Sequence, residues 1–355
     1  MSEFKKETSL NYKRTIHRIE QELPSFCKTY FIGKEASLSA SSAASYAYEF
    51  FAFFSYLCKN NAYFSKKGIK NITLEDLALL KTEDIEEYLH ELRFHSSEGD
   101  SHTKESSNKE STITKNLSAI SSLYTFFIKR GHLSFNPTAA IERQKKQIRK
   151  PVVLDHTEQK KLFETIDFGS GMSERQQKFL EKNQSRDRAI FQVLLDTGVR
   201  VSELVGIDIN DINFDEHYFT VHRKRNKIED IYFSDYTQAV LLDYLSVREN
   251  YHPPEAENAL FLSSMGSSPG RRISIRSVQL LTKKYITSSC PDRAAQITPH
   301  KMRSTFGTEM LAVTNDLELV SELLGHDSLN TTKIYAQYND KKKQQVRNVF
   351  TDHSE

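Results

Sequence analysis

Tryptophan is absent from this 355-residue sequence, and cysteine occurs three times. Cys27, Cys58 and Cys290 lie far apart and in no metal-ligand spacing. That excludes a disulfide scaffold and a cysteine-based zinc site, and it fits a reducing cytoplasm, the expected location. No run of about 18 apolar residues exists, so no membrane span is expected. The first residues, MSEFKKETSLNYKRTIHRIE, are charged throughout and lack the apolar stretch of a signal peptide. There is no GxxxxGK[ST] loop, no GxGxxG and no HExxH, so nucleotide hydrolysis and zinc proteolysis lose their usual signatures. No cofactor and no metal are expected.

What is present is enough apolar material for real cores: 38% of residues are hydrophobic, among them 22 Phe and 16 Tyr. A chain of this length points to two domains. The net charge of +2 conceals an uneven distribution. Residues 271–303 hold eight Lys or Arg and one acid, Asp292, while RQKKQIRK at 143–150 holds five more basic residues and no acid. Residues 75–110 are rich in Asp and Glu. A basic stripe set against an acidic face fits a nucleic-acid binder, although charge alone equally fits an ordinary solvated surface.

The hydropathy pattern predicts a mainly α fold with a small antiparallel β-sheet in the C-terminal domain. In residues 39–60, Tyr46, Phe50, Phe53, Phe54 and Leu57 recur at steps of three and four, forming an aromatic helix face. Thr73 and Asp76 have capping-box spacing before another helix, and a further helix is expected over about 85–92. The stretch 95–112 has no apolar residue and reads as a flexible loop. After it, Ile113, Leu117, Ile120, Leu123, Phe126 and Phe127 form a second helical stripe, with Gly131 placed to end that helix. These helices make a first domain over 1–142, followed by a basic linker over 143–154 and a second domain over 155–355. In the second domain, Thr157 is positioned to cap a helix and another is expected over 186–196. The alternating segments 217–223 and 228–233 read as a hairpin. Thr298 before Pro299 is a strong helix start.

Three stretches of the second domain carry candidate chemistry. In TGVRVSEL, Gly198 permits a sharp turn and Arg200 opens the next helix. Its planar fork suits a phosphate, or an ordinary pairing with Glu203. In PHKMRSTFGT, His300 and Arg303 lie three apart at a helix start and project from one face, where an anion is also favoured. In LGHDSLNTTKIYAQY, His326 follows Gly325, and Tyr335 and Tyr338 compete as packing residues or as a nucleophile. Lys224 sits at the expected hairpin tip. Taken singly, each has a plain structural reading. Together, two arginines, two histidines, a lysine and a tyrosine make a phosphoryl-transfer set without metal ligands. A phenol with its ordinary pKa of about 10 needs a positive, partly desolvated pocket to attack. Two arginines stabilise charge developing on the phosphate, and Lys and His handle the protons.

At these residues the sequence resembles the tyrosine recombinase (phage integrase) family, and within it the Xer-type enzymes. Arg200 matches the family's first arginine, and Lys224 in VHRKRNKIEDI matches its hairpin lysine. His300 and Arg303 match the H-x-x-R box, while His326 and Tyr335 match LGH…Y. The sequence departs from the pattern at Ser304, where a second histidine is common, and at Arg223 and Arg225, where glycines are usual and which leave Lys227 as an alternative lysine. The resemblance implies a helical core-binding, SAM-like DNA-binding domain and a catalytic domain with a C-terminal tail, clamping duplex DNA with RQKKQIRK as a strap. It implies a site-specific DNA recombinase with Arg200, Lys224, His300, Arg303, His326 and Tyr335 as catalytic residues, Tyr335 rather than Tyr338 forming a 3′-phosphotyrosyl link. It further implies double-stranded DNA with a specific core site as partner, a dimer on each site and a homotetramer on two, and passage through a Holliday junction; an accessory translocase is a candidate further partner that the sequence does not decide. Xer-like chromosome-dimer resolution is the expected role. Mobile-element integration, a type IB topoisomerase and a non-catalytic DNA-binding relative are the alternatives.

Overall fold

The computed structural model describes residues 3–94, 110–143, 150–223, 227–266, 268–326, 332, 334 and 335. The expected loop over 95–112 therefore falls largely outside the described residues, as do most of RQKKQIRK, Lys224, Arg225, Tyr338 and the tail after it. The chain divides into two compact units, Glu3–Lys146 and the part from Gln147 onward.

The first unit is helical: α1 (Glu3–Glu20), α2 (Ser25–Lys34), α3 (Ala40–Asn60), α4 (Leu74–Ala78), α5 (Thr82–Phe94) and α6 (Glu110–Ile128). Both hydrophobic stripes read from the sequence point inward. Phe50, Phe53, Phe54 and Leu57 of α3 and Ile113, Leu117, Ile120, Leu123, Phe126 and Phe127 of α6 are all buried in one core. Aromatic rings meet edge-on there, as Phe26 does with Phe54 and Phe127 at centroid distances of 5.9 and 5.8 Å, the arrangement their quadrupoles favour. The buried phenols find partners: Tyr88 donates to Asn116 Oδ1 at 2.9 Å and Tyr124 to the Leu77 carbonyl at 3.0 Å. The capping box of Thr73 and Asp76 opens α4 as its spacing predicts.

The second unit holds α7 (His156–Phe168), α8 (Glu174–Thr197), α9 (Val201–Leu204), β1 (Ile212–Asn213), β2 (Tyr218–His222), β3 (Ile228–Tyr232), α10 (Asp235–Val247), α11 (Ile275–Ser289), α12 (Pro299–Thr314) and α13 (Leu317–Leu323). Two helix starts differ from expectation. Asp155, not Thr157, caps α7, because its carboxylate reaches the Glu158 amide at 2.8 Å while Glu158 returns to the Asp155 amide at 3.0 Å. Helix α8 begins a dozen residues earlier than 186, its first turns being polar and closed by a Ser173–Gln176 capping box. The hairpin forms, with Phe219 facing Ile231 and Val221 facing Glu229. The two-residue β1 adds a third strand in the order β1-β2-β3. Alternation puts Phe219 and Val221 inside.

Gly198 is the joint that brings α8, α9 and α12 together. Its φ is +62°, in the left-handed region, and a Cβ there would lie 2.3 Å from Cδ1 of Phe306 on α12. Both the backbone and the close approach require glycine. Gly198→Ala is expected to destabilise the protein by about 2 kcal/mol or more, from left-handed strain plus overpacking. Urea denaturation checks this, and an unchanged midpoint would show that Phe306 moves aside freely.

Candidate active site

The site is assembled around the end of α13. A helix terminus leaves its last carbonyls without intrahelical donors, and here three arginines from distant parts of the chain donate in sequence to the last carbonyl of α13 and the two that follow it. Arg223 donates Nη2 to the Leu323 carbonyl at 3.1 Å. Arg303 donates Nη2 to the next carbonyl, that of Leu324, and Arg200 donates Nη2 to the carbonyl of Gly325 at 3.1 Å. Cationic side chains also complement the negative end of the helix dipole. Gly325 then turns the chain with φ +56° and delivers His326.

Each arginine is itself held. Arg200 is the residue before α9, and Glu203 takes both its backbone amide at 2.8 Å and its Nη1 at 2.7 Å. The plain pairing foreseen for Arg200 thus exists, and it orients the side chain that also reaches Gly325. Arg303, 1% exposed on α12, donates Nη1 to the Gly198 carbonyl at 2.6 Å. Burial, then the neighbouring charge of Arg200, brings the Arg303 pKa down to about 10, Glu203 acting in the opposite direction. It remains a full cation at neutral pH. An arginine donates five N–H bonds, so both arginines keep donors beyond the backbone contacts.

The two histidines differ. His300, exposed in the first turn of α12, has its pKa lowered by partial burial of the ring, then by Lys301, Arg303 and Arg200. His326 is brought down to about 4 by burial and then by Arg303, Arg200 and Arg223. It is neutral at pH 7. Its Nδ1 lies 2.9 Å from the hydroxyl of Thr332, which is fully buried.

That depressed value has a consequence for folding. Between pH 6.5 and about 4 the unfolded chain binds a proton at His326 that the folded chain does not, so stability falls as pH drops through this window. His326→Asn, which cannot titrate, is expected to lose less stability than the parent between pH 6.5 and 4. Parallel denaturant titrations at those two pH values test it, and equal losses would contradict it.

Tyr335 is 2% exposed. Its ring packs against α12 where Gly307 has no side chain, a Cβ at that position falling 3.1 Å from Cε2 and Cζ of the tyrosine. On another side it lies nearly parallel to the His326 ring, at a centroid distance of 6.4 Å. Phe306, Leu311, Val320 and Leu324 complete its surroundings. Burial raises the phenol pKa, while Arg303, the Ser304 hydroxyl and Arg200 pull it back down. The resting phenol is therefore protonated, beside two cations that favour its ionised form.

Five of the six residues singled out in the sequence fall in described parts of the chain. Arg200, Arg303, His326 and Tyr335 are gathered at the end of α13, with His300 at the start of α12 close enough for Arg303 and Arg200 to lower its pKa. Lys224 lies outside the described residues. Lys227 lines a small cleft with Arg200, Arg223, Ser321, Glu322, Gly325 and His326, and its Nζ is 3.0 Å from Glu229 Oε1. Sequence reading did not assign roles to Arg223 or Thr332. Among the described residues there is no cluster of His, Cys, Asp and Glu able to hold a metal, and no helix long and apolar enough to cross a membrane.

The sequence profile of the phage integrase family matches residues 153–342, which include all six positions. Tyrosine recombinase XerC of Vibrio cholerae serotype O1 is 36% identical over 227 residues, covering 64% of this chain and 67% of that protein. XerC of Haemophilus influenzae (strain PittEE) is 32% identical over 242 residues, 67% and 74% of the two chains. The fold is shared with XerH site-specific recombinase bound to a palindromic difH substrate, at a TM-score of 0.64 and 20% identity over 96% of this chain and 89% of that one. It is shared also with a lambda integrase dimer on a COC′ core site, at a TM-score of 0.56 and 15% identity over 88% and 94%. The chain belongs to the phage integrase family. Within that family it is a tyrosine recombinase of the Xer type, cutting and rejoining DNA in site-specific recombination.

Proposed function

We propose that Tyr335 is the nucleophile of this recombinase and that Arg200, Lys224, His300, Arg303 and His326 serve the same phosphate. The observation that carries this reading is the convergence of two arginines and a neutral histidine on one buried phenol. The Tyr335 oxygen attacks a backbone phosphorus and its proton passes to a neutral acceptor, for which His300 is suited by its lowered pKa. The bond from phosphorus to the 5′-oxygen breaks, leaving a 3′-phosphotyrosyl link and a 5′-hydroxyl protonated by Lys224. Arg200 and Arg303 hold the non-bridging oxygens and stabilise charge in the transition state. Neutral His326 donates a hydrogen bond without adding charge. The energy of the broken bond stays in the covalent link, so the partner strand's 5′-hydroxyl reseals it by the reverse steps.

The reading extends to the assembly: residues 1–142 as the core-binding domain, 155–355 as the catalytic domain, two protomers on a core site and four on two sites, with strands exchanged through a Holliday junction. Chromosome-dimer resolution is the role we assign, supported by XerC relatives at 31–36% identity; the cytoplasm as its location and an accessory translocase as a further partner belong to the same proposal.

The test is a covalent-trapping assay. Duplex DNA carrying the core site, with a nick beside the scissile phosphate, loses the short 5′-hydroxyl fragment and leaves the protein stranded on the 3′ end. A shifted band surviving denaturation, formed without metal or ATP, is expected. Binding without any such band would oppose the reading.

A further inference from the structure

Arg223 occupies a place in this site that the cleavage chemistry has not used. It is the last described residue before the hairpin tip, 4% exposed, and its backbone amide donates to the Lys227 carbonyl at 2.7 Å. Its side chain ties two elements together. Nη2 bonds the Leu323 carbonyl at the end of α13, and Nε lies 2.6 Å from Glu229 Oε2 on β3. The other oxygen of Glu229 holds Lys227. The guanidinium fills the space where a Gly325 side chain would stand, an ideal Cβ there falling 1.2 Å from Nη1. One buried arginine thus locks the hairpin base to the turn that delivers His326. The charge belongs to the site as well, since it helps to lower the pKa of both Arg303 and His326.

We infer that Arg223 is a positioning residue for the leaving-group proton: it docks the hairpin onto the α13 terminus so that the hairpin lysine reaches the 5′-oxygen. Lys224 is bonded directly to Arg223, so consecutive Cα atoms are about 3.8 Å apart. Fixing Arg223 fixes the origin from which that lysine extends. Nη2 on Leu323 and Nε beside Glu229 tie this side chain to the α13 end and to β3, the two elements that the hairpin base joins. A general acid displaced by about 1 Å loses on the order of 100-fold in rate.

The inference rests on the cleavage chemistry proposed above, and leaving-group substitution separates the two. A 5′-bridging phosphorothiolate expels a thiolate, which needs no proton, so cleavage of that DNA no longer depends on the acid. Wild type, Arg223→Ala, Arg223→Lys, Lys224→Ala, Lys227→Ala and Arg303→Lys are compared on oxygen and sulfur substrates, with melting curves for each. Arg223→Ala is expected to cleave the oxygen substrate about 100-fold more slowly and to recover most of that loss on the sulfur substrate. The lysine variant that carries the acid behaves in the same way, and Arg303→Lys stays slow on both. Arg223→Lys, which keeps a cation without the fork, falls between wild type and alanine. Equal slowing of Arg223→Ala on both substrates, or full activity on oxygen, overturns the inference while leaving the proposed chemistry intact. Should Arg223→Ala not fold, the ratio of sulfur to oxygen rates of Arg223→Lys decides: a wild-type ratio overturns it. Failure of wild type to cleave either substrate overturns the proposed chemistry and this inference with it.

Discussion

Tyr335→Phe is expected to abolish the covalent protein–DNA complex while leaving the protein folded and DNA-bound. The ring contacts that place Tyr335, against Gly307 on α12 and alongside His326, involve carbons that phenylalanine retains. What is removed is the hydroxyl, whose lost hydrogen bond is worth about 1 kcal/mol. The melting temperature should therefore change little and the trapped band should disappear entirely, because no neighbouring group takes over as nucleophile. Tyr338→Phe, run beside it, should keep the band. DNA binding, spread over many phosphate contacts, should be nearly unchanged in both and should weaken steeply with salt.

Arg303→Ala should cost both activity and stability. Two donors leave the site at once, and removal of a single donor from a developing oxyanion commonly costs 100- to 1,000-fold, so a loss of about 1,000-fold in cleavage rate is expected. The carbonyls of Gly198 and Leu324, which this guanidinium satisfies, lose their partner inside the protein, at a cost of about 1–3 kcal/mol for each one left unpaired. Relief of a buried charge, whose pKa of about 10 shows that its surroundings disfavour it, offsets part of this. Arg303→Lys sharpens the comparison. It keeps the charge but cannot span both carbonyls and a phosphate, so it should bind DNA well and cleave slowly. Single-turnover cleavage and denaturant unfolding of the two variants test these expectations.

The parts of the fold that rest on periodicity were legible before any coordinates. The α3 and α6 stripes are buried as their spacing requires, and the hairpin pairs in the expected segments. The first turns of α8 were not, since ERQQKFLEKNQS carries too few apolar residues to show a face. Strand β1, at two residues, is too short to alternate. The site divides along the same line. Residue types and their order pointed to Arg200, His300, Arg303, His326 and Tyr335. The means of holding them together did not appear in the sequence. Arg200 meets Gly325, Arg303 meets Gly198 and Arg223 meets Leu323 across more than ninety residues each, a separation no local pattern encodes.

Mapping the covalent adduct is the most direct test of the central claim. The trapped complex would be digested with nuclease and protease and its peptides sequenced by mass spectrometry. A nucleotide remnant on the peptide containing Tyr335, at the phenolic oxygen and linked through a 3′-phosphate, is the expected result. A remnant on Tyr338, on a serine or through a 5′-phosphate would contradict it.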